Sequence, residues 1–286
     1  MKTQKSLSLP QLAKILLLFH MAFLHLGCGQ GSNVSQEGSV EKAFKDVGSK
    51  RTNINLSILM DLSDRISPRK FPNATMEYYK RDLGYIKSIS EAFINHVSGK
   101  KIISIDDRIQ TFFDPPPGNP SINILSSQLR FHLNKSNVTK GLLSDISTKY
   151  SSITDSIYRL AIRDNNFVGS NTWGFFNDKI ADYCLRDGYT NILVILTDGY
   201  MYHKDMVRRQ GNKTTYLRSE DIRKFRLNSE NWLSIYSSNG FGFLPAQKDL
   251  RKLNVLVLGL NPISGNTYEK DVLKKYWEDW LLQMGI

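Results

Sequence analysis

Two aspartates directly follow apolar segments of the chain, at positions where α/β proteins commonly carry ligand-binding side chains. Asp61 follows the apolar run 55–60, and Asp198 follows the run 191–196. Ligands of an open α/β sheet bind beyond the carboxyl ends of the central strands, so we expect both carboxylates at one sheet edge. Ser63 adds a hydroxyl two residues after Asp61. Carboxylate and hydroxyl oxygens suit Mg²⁺ or Mn²⁺. The alternative is that each aspartate only stabilises the turn that follows its strand.

The apolar pattern of the body predicts alternating strands and helices. Apolar residues recur every three or four positions over 79–97, 142–160 and 272–284, which indicates amphipathic helices. A shorter helix is predicted at 175–185, and further strands are predicted within 101–113, 122–131 and 254–260. Such alternation predicts one α/β domain over residues 52–286, with a doubly wound, mainly parallel sheet and helices on both faces.

Three motifs of this body resemble the von Willebrand factor A (vWA) domain in residue type, order and spacing. They are Asp61-Leu-Ser63-Asp64-Arg65, then Gly169-Ser170-Asn171-Thr172, then Thr197-Asp198-Gly199. In that family the metal-ion-dependent adhesion site has Asp-x-Ser-x-Ser, Gly-Thr-x-Thr and Thr-Asp-Gly. The resemblance covers the whole body and implies a Rossmann-like, vWA-type fold. It also implies a metal site at Asp61, Ser63, Ser170 and Asp198.

Arg65 departs from the family pattern, because serine stands at this position in the family motif. A permanent cation here repels a divalent metal and could pair with Asp64 or Asp198 instead. Two readings therefore stay open, a degenerate metal site and a site sealed by internal ion pairing. Thr172 offers a second hydroxyl beside Ser170, or it caps the helix that follows.

The first 28 residues have the pattern of an export signal. Basic residues precede an apolar run over 15–26, which is shorter than the roughly 20 residues of a membrane-spanning helix. Gly27-Cys28 follows and resembles the bacterial lipobox, which implies lipidation of Cys28. The polar stretch 29–51 then predicts a flexible tether. We expect a lipid-anchored cell-envelope protein, and the alternatives are a cleaved signal, giving a secreted or periplasmic protein, and an uncleaved anchor.

Basic residues concentrate after Asp198, in an insertion predicted at about residues 203–251. Lys204, Arg208 and Arg209 come first, so we expect them on the rim of the site. The whole chain has 38 Lys and Arg against 27 Asp and Glu, a formal charge of +11. Such an excess favours an acidic partner, although charge runs also occur where a surface only faces solvent.

Composition excludes several classes of protein. With 286 residues, 41% hydrophobic and 23% charged, the chain is neither disordered, collagen-like nor a polytopic membrane protein. Its two cysteines cannot form a disulfide framework. No P-loop, nucleophile-elbow or His-Glu-x-x-His motif is present. We therefore predict no enzymatic activity.

The predicted function is binding of a protein or peptide, rather than of nucleic acid, through the vWA-like domain. The alternative is a divalent-metal phosphohydrolase or nuclease that uses Asp61 and Asp198 as metal ligands on a Rossmann-like sheet. The haloacid-dehalogenase pattern needs a second aspartate two residues after Asp61, and Ser63 occupies that position.

Overall fold

A mainly parallel sheet of five strands forms the centre of the protein. The structure, a computed structural model, describes residues 52–246, 249–263 and 265–286. The strands are β1 (Asn53–Met60), β2 (Asp106–Phe112), β3 (Phe131–Asn134), β4 (Tyr189–Leu196) and β5 (Leu253–Leu258). Their spatial order is β3-β2-β1-β4-β5, and only the β2–β3 pair is antiparallel. The predicted signal at 1–28, Cys28 within it and the tether at 29–51 lie outside the described residues.

Helices cover both faces of this sheet. The helices are α1 (Tyr78–Ser98), α2 (Pro120–Ser127), α3 (Lys140–Asp164), α4 (Thr172–Asp178), α5 (Ile180–Cys184), α6 (Ser219–Lys224), α7 (Trp232–Asn239) and α8 (Glu269–Gln283). The apolar stripes predicted over 79–97, 142–160 and 272–284 coincide with α1, α3 and α8. This arrangement confirms the predicted α/β fold with its mainly parallel sheet.

Alternate strand residues divide the hydrophobic core into two clusters. In β1, Ile54, Leu56 and Ile58 pack with α1 and α3 on one face of the sheet. Leu59 belongs to the cluster on the other face, with residues of α4 and α8. Among the described residues, the buried members of both clusters lie between Ile54 and Met284. None of the described helices is both long enough and apolar enough to cross a membrane.

Two elements differ from their predictions. The strand predicted over 122–131 is wrong for most of its length, because α2 covers Pro120–Ser127 and only β3 follows as a strand. The Asn119 side chain accepts a hydrogen bond from the Ser121 N–H and caps α2, and Pro120 fits its first turn. The helix predicted at 175–185 is two short helices, α4 and α5, separated at Lys179.

The predicted insertion is a folded unit in its described part. It carries α6, α7 and a small sheet of three two-residue strands. Buried Phe243 connects this unit to the core, because its ring lies 5.5 Å from that of Trp280 in α8. The insertion is therefore held against the second core cluster.

Candidate functional site at the carboxyl edge of the sheet

The ends of β1 and β4 lie side by side and bring Asp61 and Asp198 to one edge of the sheet. Met60 pairs with Leu196 in the parallel register, and the Asp61 N–H donates to the Leu196 carbonyl oxygen at 3.1 Å. Asp61 is buried, whereas Asp198 is partly exposed. The two aspartates therefore occupy adjacent strand ends, where the sequence predicted them.

Hydrogen bonds fix the direction of the Asp61 carboxylate. The Ser63 N–H donates to Oδ1 at 2.8 Å, and the Thr197 hydroxyl donates to Oδ2 at 3.1 Å. The first bond closes a turn off β1, and the second joins the ends of β1 and β4. The Ser63 hydroxyl has no hydrogen-bond partner among the described residues, so it remains open to a ligand.

Asp198 is held in a setting that disfavours its charge. The Tyr200 N–H donates to its Oδ1 at 3.1 Å, which favours the carboxylate form. Burial and, next, the negative charge of Asp61 nevertheless raise the pKa of Asp198 to about 7. The carboxylate edge of the sheet can therefore take up a further positive charge, as a proton or a cation.

Arg65 turns inward beneath the strand ends and is buried, with 3% of its surface exposed. Its Nη2 lies 2.6 Å from Asp82 Oδ2 and donates to the carbonyl oxygens of Asp61 and Leu196, each at 3.0 Å. Its Nε lies 3.4 Å from Asp61 Oδ2. Although burial acts to lower it, Asp82 and Asp61 raise the pKa of Arg65. The guanidinium is therefore a permanent internal cation shared by two carboxylates.

The predicted pairing of Arg65 with Asp64 or Asp198 is wrong. The short 3-10 helix Asp64–Ile66 directs Arg65 into the protein, while Asp64 forms an exposed ion pair with Lys70 at 3.1 Å. The partner that the sequence analysis missed is Asp82 of α1. A signal existed, because Asp82 lies on the apolar stripe of that helix and is completely buried.

The second motif, Gly169–Thr172, lies beside the loop that follows β4. The Ser170 N–H donates to the Tyr202 carbonyl oxygen at 2.9 Å, and the Ser170 and Thr172 hydroxyl oxygens are 3.1 Å apart. The preceding Gly169 has φ +84°, and a Cβ there would collide with the Tyr202 carbonyl oxygen. Thr172 does not cap α4, because Asn171 accepts the bond from the Gly174 N–H.

The oxygen ligands available at this edge are of the chemical types that a hard cation prefers. Asp61 and Asp198 supply carboxylates, of which the second has a raised pKa, and Ser63 supplies an open hydroxyl. Ser170 supplies another hydroxyl, although it is hydrogen-bonded to Thr172. Among the described residues, no group of three His, Cys, Asp or Glu side chains could hold a metal. A cation at this edge would therefore depend on hydroxyl and water oxygens as well as two carboxylates.

A cavity of about 320 Å³ adjoins these residues. Its lining includes Met60 and Leu62, which flank Asp61, and Gly169, which precedes Ser170. This volume lies at the lower end of the range for small-molecule sites and exceeds that of a single side chain. Open space of this size therefore adjoins the chain neighbours of Asp61 and Ser170, although neither aspartate lines it, a feature that the sequence did not indicate.

The predicted basic rim is exposed and partly ordered by aromatic rings. Lys204, Arg208 and Arg209 are all exposed. The Arg208 guanidinium lies 5.7 Å from the ring centroid of Trp173, the residue after Thr172, which places Arg208 close to α4. Arg209 packs over Phe225, 5.9 Å from its ring centroid. Such packing restricts each guanidinium and leaves its charge available to an anionic partner.

The chain matches no family model, no curated protein and no solved structure.

Proposed function

We propose that this protein is a bacterial cell-envelope lipoprotein, anchored through Cys28, whose vWA-like domain binds a protein or peptide at the carboxyl edge of its sheet. The observation that carries this proposal is the meeting of Asp61 and Asp198 at adjacent strand ends. Binding of this kind requires no bond to break.

The metal is part of the same proposal. Asp61, Ser63, Ser170 and Asp198 would hold Mg²⁺ or Mn²⁺ at a degenerate adhesion site, and the bound ion would supply a position that accepts an acidic group of the partner. Arg65 already neutralises part of the Asp61 charge, with Nε 3.4 Å from Oδ2. We therefore expect weaker metal binding than a site without this internal cation would give.

The partner is proposed to be acidic because the rim beside the aspartates is basic. Arg208 lies over Trp173, close to Ser170 and Thr172 in the chain. A partner carboxylate at the aspartates would therefore have an exposed guanidinium near it. The adjoining cavity offers room for a neighbouring side chain of the partner.

Calorimetric titration of Mg²⁺ and Mn²⁺ into residues 29–286 tests the metal. We expect Asp198→Asn to weaken binding at least about tenfold, because it removes one of two carboxylates. Asp64→Asn is the matched control, since Asp64 is exposed and paired with Lys70. Equal weakening by both substitutions would show only a general charge effect.

Pull-down of non-covalently bound proteins tests the partner. A partner bound at the aspartates is released by Asp61→Ala or Asp198→Ala more fully than by neutralising Arg208 and Arg209, and EDTA releases it more than salt does. Retention by the aspartate variants, with loss on neutralising the two arginines, would assign binding to the basic rim instead. Binding carried by phosphates would fall about 10³-fold or more between 50 and 200 mM salt for six contacts.

A further inference from the structure

Two adjacent isoleucines project into solvent at the amino edge of the sheet, opposite the candidate site. Ile102 is 62% exposed and Ile103 is 82% exposed. Both lie in the 3-10 helix Ile102–Ser104, which directly precedes β2. Isoleucine is among the residues most often buried in folded proteins. An exposed pair at the tip of a turn therefore requires a structural or functional reason.

The same edge carries basic side chains that lack carboxylate partners. Lys101 precedes the isoleucines, Lys135 and Lys140 lie between β3 and the first turn of α3, and Arg186 lies before β4. All four residues are exposed, and none is in an ion pair within the described part of the chain. Two acids at this edge are already occupied, since Asp187 pairs with Lys252 and Asp249 pairs with Arg251, each at 2.8 Å.

The described chain also begins at this edge. Lys100, next to the turn, donates to Asn53 Oδ1 at 2.6 Å. His96 Nε2 lies 3.1 Å from the carbonyl oxygen of Thr52, the first described residue. The segment that leads back to Cys28 therefore joins the body close to the exposed isoleucines.

We propose that this amino-edge face, formed by Lys101, Ile102, Ile103, Lys135, Lys140 and Arg186, docks on an anionic lipid bilayer. The two isoleucines enter the interfacial layer, and the four cations lie over the lipid phosphates. The carboxyl edge, about 25 Å away along an eight-residue strand, then faces away from the membrane. Its aspartates and basic rim stay accessible to a partner in solution.

The length of the segment between Cys28 and the body supports a lipid bilayer as the partner of this face. Residues 29–51 could span at most about 80 Å, the length of a fully extended chain of this many residues. An anchor at Cys28 would therefore hold the face within reach of the bilayer at high effective concentration. Each cation near an anionic surface adds attraction, so even a modest apolar contact suffices.

This orientation rests on the anchoring at Cys28 proposed above, whereas binding to vesicles does not. Flotation with residues 29–286, which lack Cys28 and retain the complete core of the body, tests the face itself. The probes are vesicles of phosphatidylcholine alone and vesicles with about 30% phosphatidylglycerol. We expect at least about tenfold more protein on the anionic vesicles. Ile102→Ser together with Ile103→Ser should lower that binding about tenfold or more.

The matched control is Ile124→Ser. Ile124 is 64% exposed but belongs to α2, which follows the carboxyl end of β2. We expect this variant to bind vesicles like the wild type. We expect the same of Asp198→Asn, so that loss of partner binding at the carboxyl edge can be distinguished from loss of vesicle binding. Circular dichroism confirms that each variant is folded.

Equal vesicle binding by the wild type and the double variant would overturn the proposal. So would a concentration-dependent rise in mass by light scattering that the double variant abolishes without any lipid, because the face would then bind a second copy of the chain. Loss of vesicle binding in Ile124→Ser to the same extent would assign the effect to general surface hydrophobicity and would also overturn it.

Discussion

The buried Arg65–Asp82 pair gives the sharpest test of how the carboxyl edge is built. Arg65→Met keeps much of the side-chain volume and removes the cation. Asp82, which is completely buried, then keeps the Tyr158 hydroxyl, which donates to its Oδ2 at 2.9 Å, and the more distant Arg81, whose Nε lies 4.0 Å from its Oδ1. At 2.6 Å the Coulomb attraction of the pair is about 6 kcal/mol for an effective dielectric constant of about 20. Desolvation costs several kcal/mol for each ion.

These opposing terms predict a characteristic pattern across three variants. Arg65→Met should lower the free energy of unfolding by about 3 kcal/mol, because it leaves Asp82 buried with only Arg81, at 4.0 Å, as a countercharge. Arg65→Met combined with Asp82→Leu should recover most of that loss, since neither buried charge remains. Lys70→Met breaks the exposed Lys70–Asp64 pair and should change the free energy by less than about 1 kcal/mol.

Urea unfolding followed by circular dichroism measures all three variants against the wild type. A loss below about 1 kcal/mol for Arg65→Met would refute the reasoning, because water would then be solvating Asp82. A double variant no more stable than Arg65→Met alone would refute it too. That result would show that Arg65 acts through packing rather than through charge.

Three further predictions concern the metal, the pH dependence and the anchor. In the Arg65→Met/Asp82→Leu protein, calorimetry should show tighter Mn²⁺ binding than in the wild type, because a like charge near Asp61 Oδ2 is gone; unchanged affinity would contradict this. Burial and Asp61 raise the pKa of Asp198 to about 7, so the folded state keeps a proton that the unfolded state loses above about pH 4. Stability should therefore fall as pH rises from about 4 to 7, and Asp198→Asn should remove this part of the slope in urea unfolding; identical slopes would argue against it. Cys28→Ser should abolish palmitate labelling and membrane fractionation, and labelling that persists would exclude Cys28 as the lipidation site.

Local sequence patterns predicted the central strands and helices because each of these elements buries apolar side chains in the core. All of β1 except Asn53 is buried, including the polar Asn55 and Ser57, as its mainly apolar sequence predicts. Tyr79, Ile86, Phe93 and Val97 form the buried face of α1, as their spacing predicts. The strand predicted at 122–131 was wrong because the apolar run was weighed above the capping signal of Asn119 and Pro120, which starts α2.

The candidate site was partly predictable for the same reason. Asp61 and Asp198 each follow a buried strand, and a parallel register brings such residues to one edge. Sequence spacing alone did not identify the partner of Arg65, because Asp82 lies in α1, 17 residues further along the chain. Tyr158 of α3 completes the cluster across 76 residues.

By itself the sequence determined which segments are buried, and therefore the alternating strands and helices, the mainly parallel sheet and the two aspartates at its carboxyl edge. Only the tertiary structure decided where the charge of Arg65 goes, because burial of a guanidinium depends on carboxylates that folding brings together. It likewise decided that Ile102 and Ile103 are exposed beside the start of the described chain. The sequence alone does not show which apolar residues other elements leave uncovered.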